Sequence, residues 1–220
     1  MAEPYRILLV DDDPFVRSGL RLLLTSDPQI EVVGEAADGN EVVEAAQRHA
    51  PDVILMDLRM PRMDGIEATR AVRALPRPPQ VIALTTWDVD DAVLRSLDAG
   101  AEGFLLKSAS PAEIISAVKA VVAGDAVLSP RSTRQVLDHY TRDGNRRAKQ
   151  EAEAAVAELT EREQEVAIAV GQGLSNAEAA ERLFVSTATV KAHLATIQSK
   201  LGVRNRVQVA VHVERAGLLR

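Results

Sequence analysis

Short apolar runs alternate with longer amphipathic stretches through the first half of the chain. Each run spans about four residues, and the stretch that follows it carries apolar residues at every third or fourth position, as in a helix with one buried face. Strands that are apolar throughout are typical of a parallel sheet with helices on both faces. The pattern therefore predicts a doubly wound α/β domain with five parallel strands, at 7–10, 30–33, 53–56, 81–84 and 103–106.

The C-terminal part lacks this alternation and shows four helix starts instead. Thr160 and Ser175 are each followed by Glu three residues later, which is the pattern of a capping box, and Ser186 and Asn205 also favour helix starts. In the third of these helices, apolar residues spaced four, three and four apart form a face that we expect to be buried. They are Val190, Leu194, Ile197 and Leu201. We expect a small all-α domain of four helices.

These patterns predict a first domain at residues 1–125 and a second at 156–220. The segment 126–155 contains turn residues and ends in good helix formers, so we expect a linker that is partly helical. Residues 1–125 hold 12 Lys and Arg against 21 Asp and Glu, whereas residues 156–220 hold 8 against 7. An acidic domain followed by a near-neutral one indicates different partners for the two.

The composition excludes several classes of protein. With 46% apolar and 26% charged residues, the chain is typical of soluble globular proteins, and no apolar run approaches the roughly 18 residues of a membrane helix. The first residues lack the pattern of a secretory signal, so we expect a cytoplasmic protein without membrane contact. The absence of cysteine excludes disulfides, thiolate zinc sites and cysteine nucleophiles.

Polar residues follow four of the predicted strands. Asp11 and Asp12 follow the first strand, Asp57 the third, Thr85 the fourth and Lys107 the fifth. The carboxyl ends of parallel strands form the usual ligand site of such sheets, and carboxylates gathered there repel one another unless a cation lies among them. A site of oxygen ligands with room for a phosphoryl group favours Mg²⁺. These residues predict a phosphoryl-transfer site in which Asp57, on the central strand, is the nucleophile.

Four segments make this prediction specific. They are LLVDDDPFVRSGL, PDVILMDLRMPRMDGIEATR, VIALTTWDVDD and AGAEGFLLKS, and in this order they resemble the receiver domain of bacterial two-component response regulators over about residues 5–125. The resemblance implies a flavodoxin-like fold and phosphorylation of Asp57 by a sensor histidine kinase.

The resemblance also implies a role for each polar residue of the site. Thr85 and Lys107 would contact the phosphoryl group, and Thr85 and Phe104 would move together as a switch. Four residues would hold Mg²⁺: Asp11, Asp12, Asp57 and Arg59, the last through its backbone carbonyl.

The third predicted helix of the second domain has an outer face of small residues. Opposite the apolar face lie Ala188, Ala192, Ala195 and Ser199, flanked by basic residues, which favours a helix that enters the major groove of DNA. The segments LTEREQEV and GLSNAEAAERLFVSTATVKAHLATIQSKLGVRNRVQV resemble the LuxR-type helix-turn-helix of NarL/FixJ response regulators over most of residues 158–217. The resemblance implies a scaffold helix at 176–183 and a recognition helix at 187–200.

The same resemblance implies contacts with promoter DNA and between two copies of the chain. The implied DNA contacts are Thr187, Thr189, Lys191, Ala192, His193, Ala195 and Lys200. For His193, a partly buried histidine on the domain surface is the alternative. The implied dimer contacts lie on the last helix, on a face that we expect the small core to leave free. They are Val209, His212, Val213 and Ala216.

The sequence thus predicts a transcription factor that dimerises and binds promoter DNA when Asp57 is phosphorylated, and that turns over no external substrate. A haloacid-dehalogenase-like phosphatase would need a second Asp two residues after Asp57, where this chain has Arg59. A nucleotide-binding flavodoxin-like domain would need a phosphate-binding loop after the first strand, where three aspartates repel phosphate. The nearest alternative is a receiver-fold regulator controlled by a ligand or partner without phosphorylation; its acidic site would be degenerate, whereas this one is complete.

Overall fold

The computed structural model describes residues 3–86, 90–128, 136 and 146–219. The described chain divides into two compact units. The first unit contains the described residues through Ala123 together with Val127–Leu128, and the second contains Gly124–Ala126 and the described residues from Val136 onward. Among the described helices, none combines the length and the apolar character that a membrane crossing requires.

A parallel sheet in the order β2-β1-β3-β4-β5-β6 forms the centre of the first unit. The parallel α/β sheet confirms the predicted fold class, but the sheet has six strands rather than five. The sixth strand has two residues, which pair with Gly103 and Phe104 of β5 and are too few to give a recognisable apolar run. The strands are β1 (Tyr5–Val10), β2 (Ile30–Ala36), β3 (Val53–Asp57), β4 (Gln80–Thr85), β5 (Gly103–Leu106) and β6 (Val127–Leu128).

Helices cover both faces of this sheet. Because successive residues of a strand point to opposite faces, Ile7 and Leu9 pack in one apolar cluster with Leu24 of the first helix, whereas Leu8 packs in another with Val72 of the third. The described helices of this unit are α1 (Pro14–Leu24), α2 (Val42–His49), α3 (Gly65–Arg73), α4 (Asp90–Ala99) and α5 (Pro111–Ala123), and a short 3₁₀ turn (Gly39–Glu41) precedes α2.

The described elements of the second unit are all helical, as predicted. All four predicted starts are confirmed: Thr160 and Ser175 form complete capping boxes, and the side chains of Ser186 and Asn205 accept hydrogen bonds from the first turns of their helices. A further helix begins in the segment predicted to be a partly helical linker, runs past its predicted end at residue 155 and places Val156 in the core, so the described part of the unit has five helices rather than the expected four. The helices are α6 (Arg146–Ala157), α7 (Glu161–Gly171), α8 (Asn176–Arg182), α9 (Thr187–Leu201) and α10 (Arg206–Arg215).

The expectation that the core leaves one face of α10 free is wrong for two of its residues. Val209 and Val213 are fully buried in the apolar core of the second unit. The helices α7 and α10 approach closely, since a Cβ on Gly171 would lie 3.3 Å from a methyl group of Val213. A domain of this size needs both valines to complete its core, so only His212 and Ala216 of the four residues remain partly exposed.

Candidate functional site

The carboxyl ends of four neighbouring strands bring the predicted polar residues together. Asp11 follows β1, Asp57 and Thr85 are the last residues of β3 and β4, and Lys107 follows β5. The sheet order makes these strands consecutive neighbours. The amide nitrogen of Lys107 donates a hydrogen bond to the carbonyl oxygen of Thr85 at 2.7 Å, which fixes the start of the Lys107 loop against β4.

Lys107 is the positive centre of this group. Its Nζ lies 2.6 Å from Oδ2 of Asp11 and 3.2 Å from Oδ1 of Asp57. Burial opposes the charge of Lys107, but its bond to Asp11 and the charge of Asp57 outweigh burial and raise its pKa. For Asp57, burial raises the pKa, Lys107 opposes that effect and the charge of Asp11 adds to it. Asp11, Asp57 and Lys107 thus form a mostly buried cluster of charged groups.

The acidic group fits a divalent cation. One carboxylate oxygen from each of Asp11, Asp12 and Asp57 lies within 4.8 Å of the others, and among the described residues the ammonium of Lys107 contacts two of these carboxylates. Asp11 and Asp57 are buried, whereas Asp12 is exposed and borders an open cavity of about 490 Å³ that Arg59 and Thr85 also line. Hard oxygen donors beside open space suit Mg²⁺, which keeps several waters and leaves room for phosphate oxygens.

The predicted switch residues lie on adjacent strands. Thr85 ends β4, and Phe104 lies on β5 opposite Ala83. Both are buried, with Phe104 about 1% exposed. Thr85 also lines the open cavity beside Asp12 and Arg59, whereas Phe104 lies deeper in the sheet.

Gly65 has a role at the site that the sequence patterns do not indicate. A Cβ on Gly65 would lie 2.0 Å from the carbonyl oxygen of Asp57 and 2.9 Å from the Cα of Leu58. The start of α3 can therefore pack against the backbone of Asp57 only with glycine at this position. The neighbouring Asp64 accepts a hydrogen bond from the amide of Glu67 at 2.7 Å and caps α3.

The helix α9 exposes the predicted ridge of small residues. Val190, Leu194 and Ile197 are buried, and the opposite side is exposed. The exposed residues of that side are Thr187, Ala188, Lys191, Ala192, Ala195 and Ser199. An exposed face of short side chains next to a basic residue can lie close to a groove of DNA.

Three of the predicted DNA contacts have partners or partial burial within the second unit. The hydroxyl of Thr189 lies 2.8 Å from that of Ser186 and belongs to the cap of α9. Lys200 donates to the buried Glu163 at 2.6 Å, and this bond lowers the pKa of Glu163. His193 is half-buried, which fits the alternative for that residue.

Comparisons with known proteins agree with both halves of the chain. Residues 7–119 match the response regulator receiver domain, and residues 157–213 match the bacterial regulatory proteins of the luxR family. The chain is 41% identical to the transcriptional regulatory protein LiaR of Bacillus subtilis, covering 97% of this chain and 99% of that protein. It is 39% identical to the nitrate/nitrite response regulator protein NarP of Escherichia coli, covering 96% and 94%.

A solved structure supports the same likeness over the whole length. The response regulator ChrA of a heme-sensing two-component system is 36% identical, with a TM-score of 0.53 over 99% of this chain and 100% of that one.

Proposed function

Because the chain belongs to the two-component response regulators that join a receiver domain to a LuxR-type DNA-binding domain, we propose that phosphorylation of Asp57 controls its binding to promoter DNA. The observation that carries this proposal is the group at the sheet edge, where three carboxylates converge on one another and Lys107 contacts two of them. We assign the receiver domain to residues 1–125, the linker to 126–155 and the DNA-binding domain to 156–220.

The phosphoryl group comes from a phosphohistidine of the sensor kinase. A carboxylate oxygen of Asp57 attacks the phosphorus, the phosphorus–nitrogen bond breaks, and the imidazole nitrogen keeps the electron pair and takes up a proton. Lys107, already 3.2 Å from Asp57, stays beside the carboxylate and pairs with the new phosphoryl oxygens. The chain loses its own phosphate in time but turns over no external substrate.

Asp11, Asp12 and Asp57, with the backbone carbonyl of Arg59, are the residues that would hold Mg²⁺. When bound, Mg²⁺ neutralises charge on the carboxylates and on the phosphoryl oxygens. Asp11 is buried and keeps its carboxylate in place, while the exposed Asp12 leaves the site open to the kinase.

The acyl phosphate adds charge and acceptor oxygens at the end of β3. We propose that the hydroxyl of Thr85 donates a hydrogen bond to one of these oxygens and that Phe104 moves with it. Both side chains are buried, so the change biases a two-state surface of the receiver domain. A second copy of the chain binds the phosphorylated state and thereby stabilises it.

The second domain reads DNA with α9. Lys191, Ala192, Ala195 and Thr187 lie on its exposed side, where they can reach bases or phosphates. Thr189 and Lys200 support this surface from within the domain through Ser186 and Glu163. Two domains in a dimer would bind two half-sites about one turn of DNA apart. Such a protein acts in the cytoplasm, where promoter DNA and the kinase domain meet.

Selection of duplexes from a random-sequence library tests this proposal. Wild type treated with acetyl phosphate and Mg²⁺ should enrich a two-part site, and untreated wild type and Asp57→Ala should bind that site more weakly. Lys191→Ala should be phosphorylated normally and bind about tenfold more weakly. Lys149→Ala removes an exposed lysine of α6 that pairs with Glu153 and should bind like wild type. Equal binding by treated and untreated wild type would favour regulation without phosphorylation.

A further inference from the structure

We propose that Asp38 is a positioning residue for the metal site, because it holds the loop between β3 and α3 and with it the backbone carbonyl of Arg59. This inference rests on the proposed function, since it concerns the same site. Asp38 lies after β2, immediately before the 3₁₀ turn Gly39–Glu41, and is 2% exposed.

The carboxylate of Asp38 joins two loops that are far apart in the sequence. Its Oδ2 accepts a hydrogen bond from the amide nitrogen of Arg62 at 3.0 Å, and its Oδ1 accepts from the amide nitrogens of Met63 at 3.1 Å and Asn40 at 3.3 Å. The Nε of Arg62 lies 3.6 Å from Oδ2. A buried carboxylate with this many donors holds both loops in one arrangement.

The two loops also touch through their backbones. A Cβ on Gly39 would lie 2.5 Å from the carbonyl oxygen of Met63, so the approach requires glycine. The guanidinium of Arg62 donates to Glu41 at 2.7 Å. The loop after β2 is therefore a fixed support for the loop after β3.

The loop that carries Arg59 is held at both ends. At its start, the amide of Leu58 donates to the carbonyl oxygen of Leu84 at 3.2 Å, and the amide of Gly65 donates to the carbonyl oxygen of Leu58 at 3.1 Å. At its end, Asp38 holds residues 62 and 63. Only residues 59–61 lie between these supports, and Pro61 has a fixed φ. The Arg59 carbonyl consequently has little freedom while Asp38 is in place.

Loss of Asp38 should weaken Mg²⁺ binding more than it lowers the rate of phosphoryl transfer to Asp57. Groups that orient metal ligands typically contribute 10–100-fold to affinity. Without Asp38, three amide donors lose their acceptor, two of them in the loop that carries Arg59, and residues 59–63 can shift, whereas the contact between Lys107 and Asp57 involves neither loop. The expected result is a need for more Mg²⁺ with a nearly normal rate once Mg²⁺ is saturating.

The test measures phosphorylation of the full chain by acetyl phosphate over a series of Mg²⁺ concentrations, using intact mass. For Asp38→Ala, the half-saturating Mg²⁺ concentration should rise about tenfold, and the rate at saturating Mg²⁺ should stay near the wild-type value. A second readout titrates Mg²⁺ alone and follows the fluorescence of Trp87, the only tryptophan of the chain, two residues after Thr85 in the sequence. Its midpoint should shift in parallel.

Three further variants distinguish a positioning role of Asp38 from a general loss of stability of the domain. Asp38→Asn keeps one acceptor oxygen but places an amide group opposite the other donors, so the half-saturating Mg²⁺ concentration should rise by an intermediate amount. This variant also serves as the test if Asp38→Ala fails to fold. Arg62→Ala removes the guanidinium contacts with Asp38 and Glu41 but keeps the backbone donor, so its shift should be smaller than that of Asp38→Ala. Glu102→Ala removes another buried carboxylate, just before β5 and 3.5 Å from Arg73, and should lower stability without changing the Mg²⁺ dependence.

Two results would overturn the inference. One is an unchanged half-saturating Mg²⁺ concentration in Asp38→Ala and Asp38→Asn, and the other is a rate that falls equally at all Mg²⁺ concentrations. If the wild type accepts no phosphate at any Mg²⁺ concentration, the proposed function fails instead. The fluorescence titration then still decides whether Asp38 supports metal binding.

Discussion

Gly65→Ala is a sharp test of how the start of α3 packs against the phosphorylation site. The added Cβ would lie 2.0 Å from the carbonyl oxygen of Asp57, whereas ordinary contact begins near 3.4 Å. The obstacle is backbone, so α3 or the end of β3 must move by more than 1 Å. Overpacking of this kind costs about 3 kcal/mol, and it should also displace Asp57 and slow its phosphorylation.

Gly19→Ala is the matched control. Gly19 lies inside α1, and a Cβ there would meet nothing within 4 Å. Alanine is favoured over glycine inside a helix by about 1 kcal/mol, so this variant should be more stable than wild type. The same substitution is thus expected to have opposite effects at the two positions.

Urea unfolding followed by the fluorescence of Trp87 measures both variants. With a slope of about 2 kcal/mol per molar urea, Gly65→Ala should lower the midpoint by about 1.5 M, and Gly19→Ala should raise it by about 0.5 M. Intact mass after treatment with acetyl phosphate and Mg²⁺ measures phosphorylation of the same samples. A Gly65→Ala protein with the wild-type midpoint and normal phosphorylation would refute this account of the packing.

Three other predictions concern the second unit, and unfolding followed by far-ultraviolet circular dichroism measures each. Thr160→Ala removes half of a capping box and should cost about 1 kcal/mol. The bond from Lys200 lowers the pKa of Glu163 in the folded state. The ionised Glu163 carboxylate therefore stabilises the fold above the pKa that Glu163 has in the unfolded chain, and this stabilisation is lost as the pH falls through the folded-state pKa. Glu163→Gln should be less stable than wild type at pH 7, and the difference between the two proteins should disappear in acid. Val213→Ala should cost about 2 kcal/mol through a cavity in the core, whereas His212→Ala should cost less than about 1 kcal/mol; equal costs would contradict the placement of α10.

Local signals made much of the fold predictable. Thr160 and Ser175 carry their capping boxes within four residues of sequence, and the apolar face of α9 repeats at helical spacing. The polar residues of the site were predictable because parallel strands end at one edge of the sheet. Each of these signals depends on neighbours along the chain or on a general property of the fold.

Features that depend on distant packing were not predictable in this way. The face of α10 with Val209 and Val213 was expected to be free, but both valines are buried in a core formed with helices distant in the sequence. The bond between Lys200 and Glu163 spans 37 residues. The role of Asp38 depends on contacts with residues 62 and 63, and no local pattern marks it.

The most direct test of the central claim is the intact mass of wild type and Asp57→Ala after incubation with Mg²⁺ and acetyl phosphate, with the association state recorded on the same samples. The account predicts that only the wild type gains one phosphoryl group and that it shifts toward a dimer. If neither protein gains a phosphoryl group while the wild type still binds promoter DNA, or if both gain one, the claim that Asp57 is the switch is contradicted.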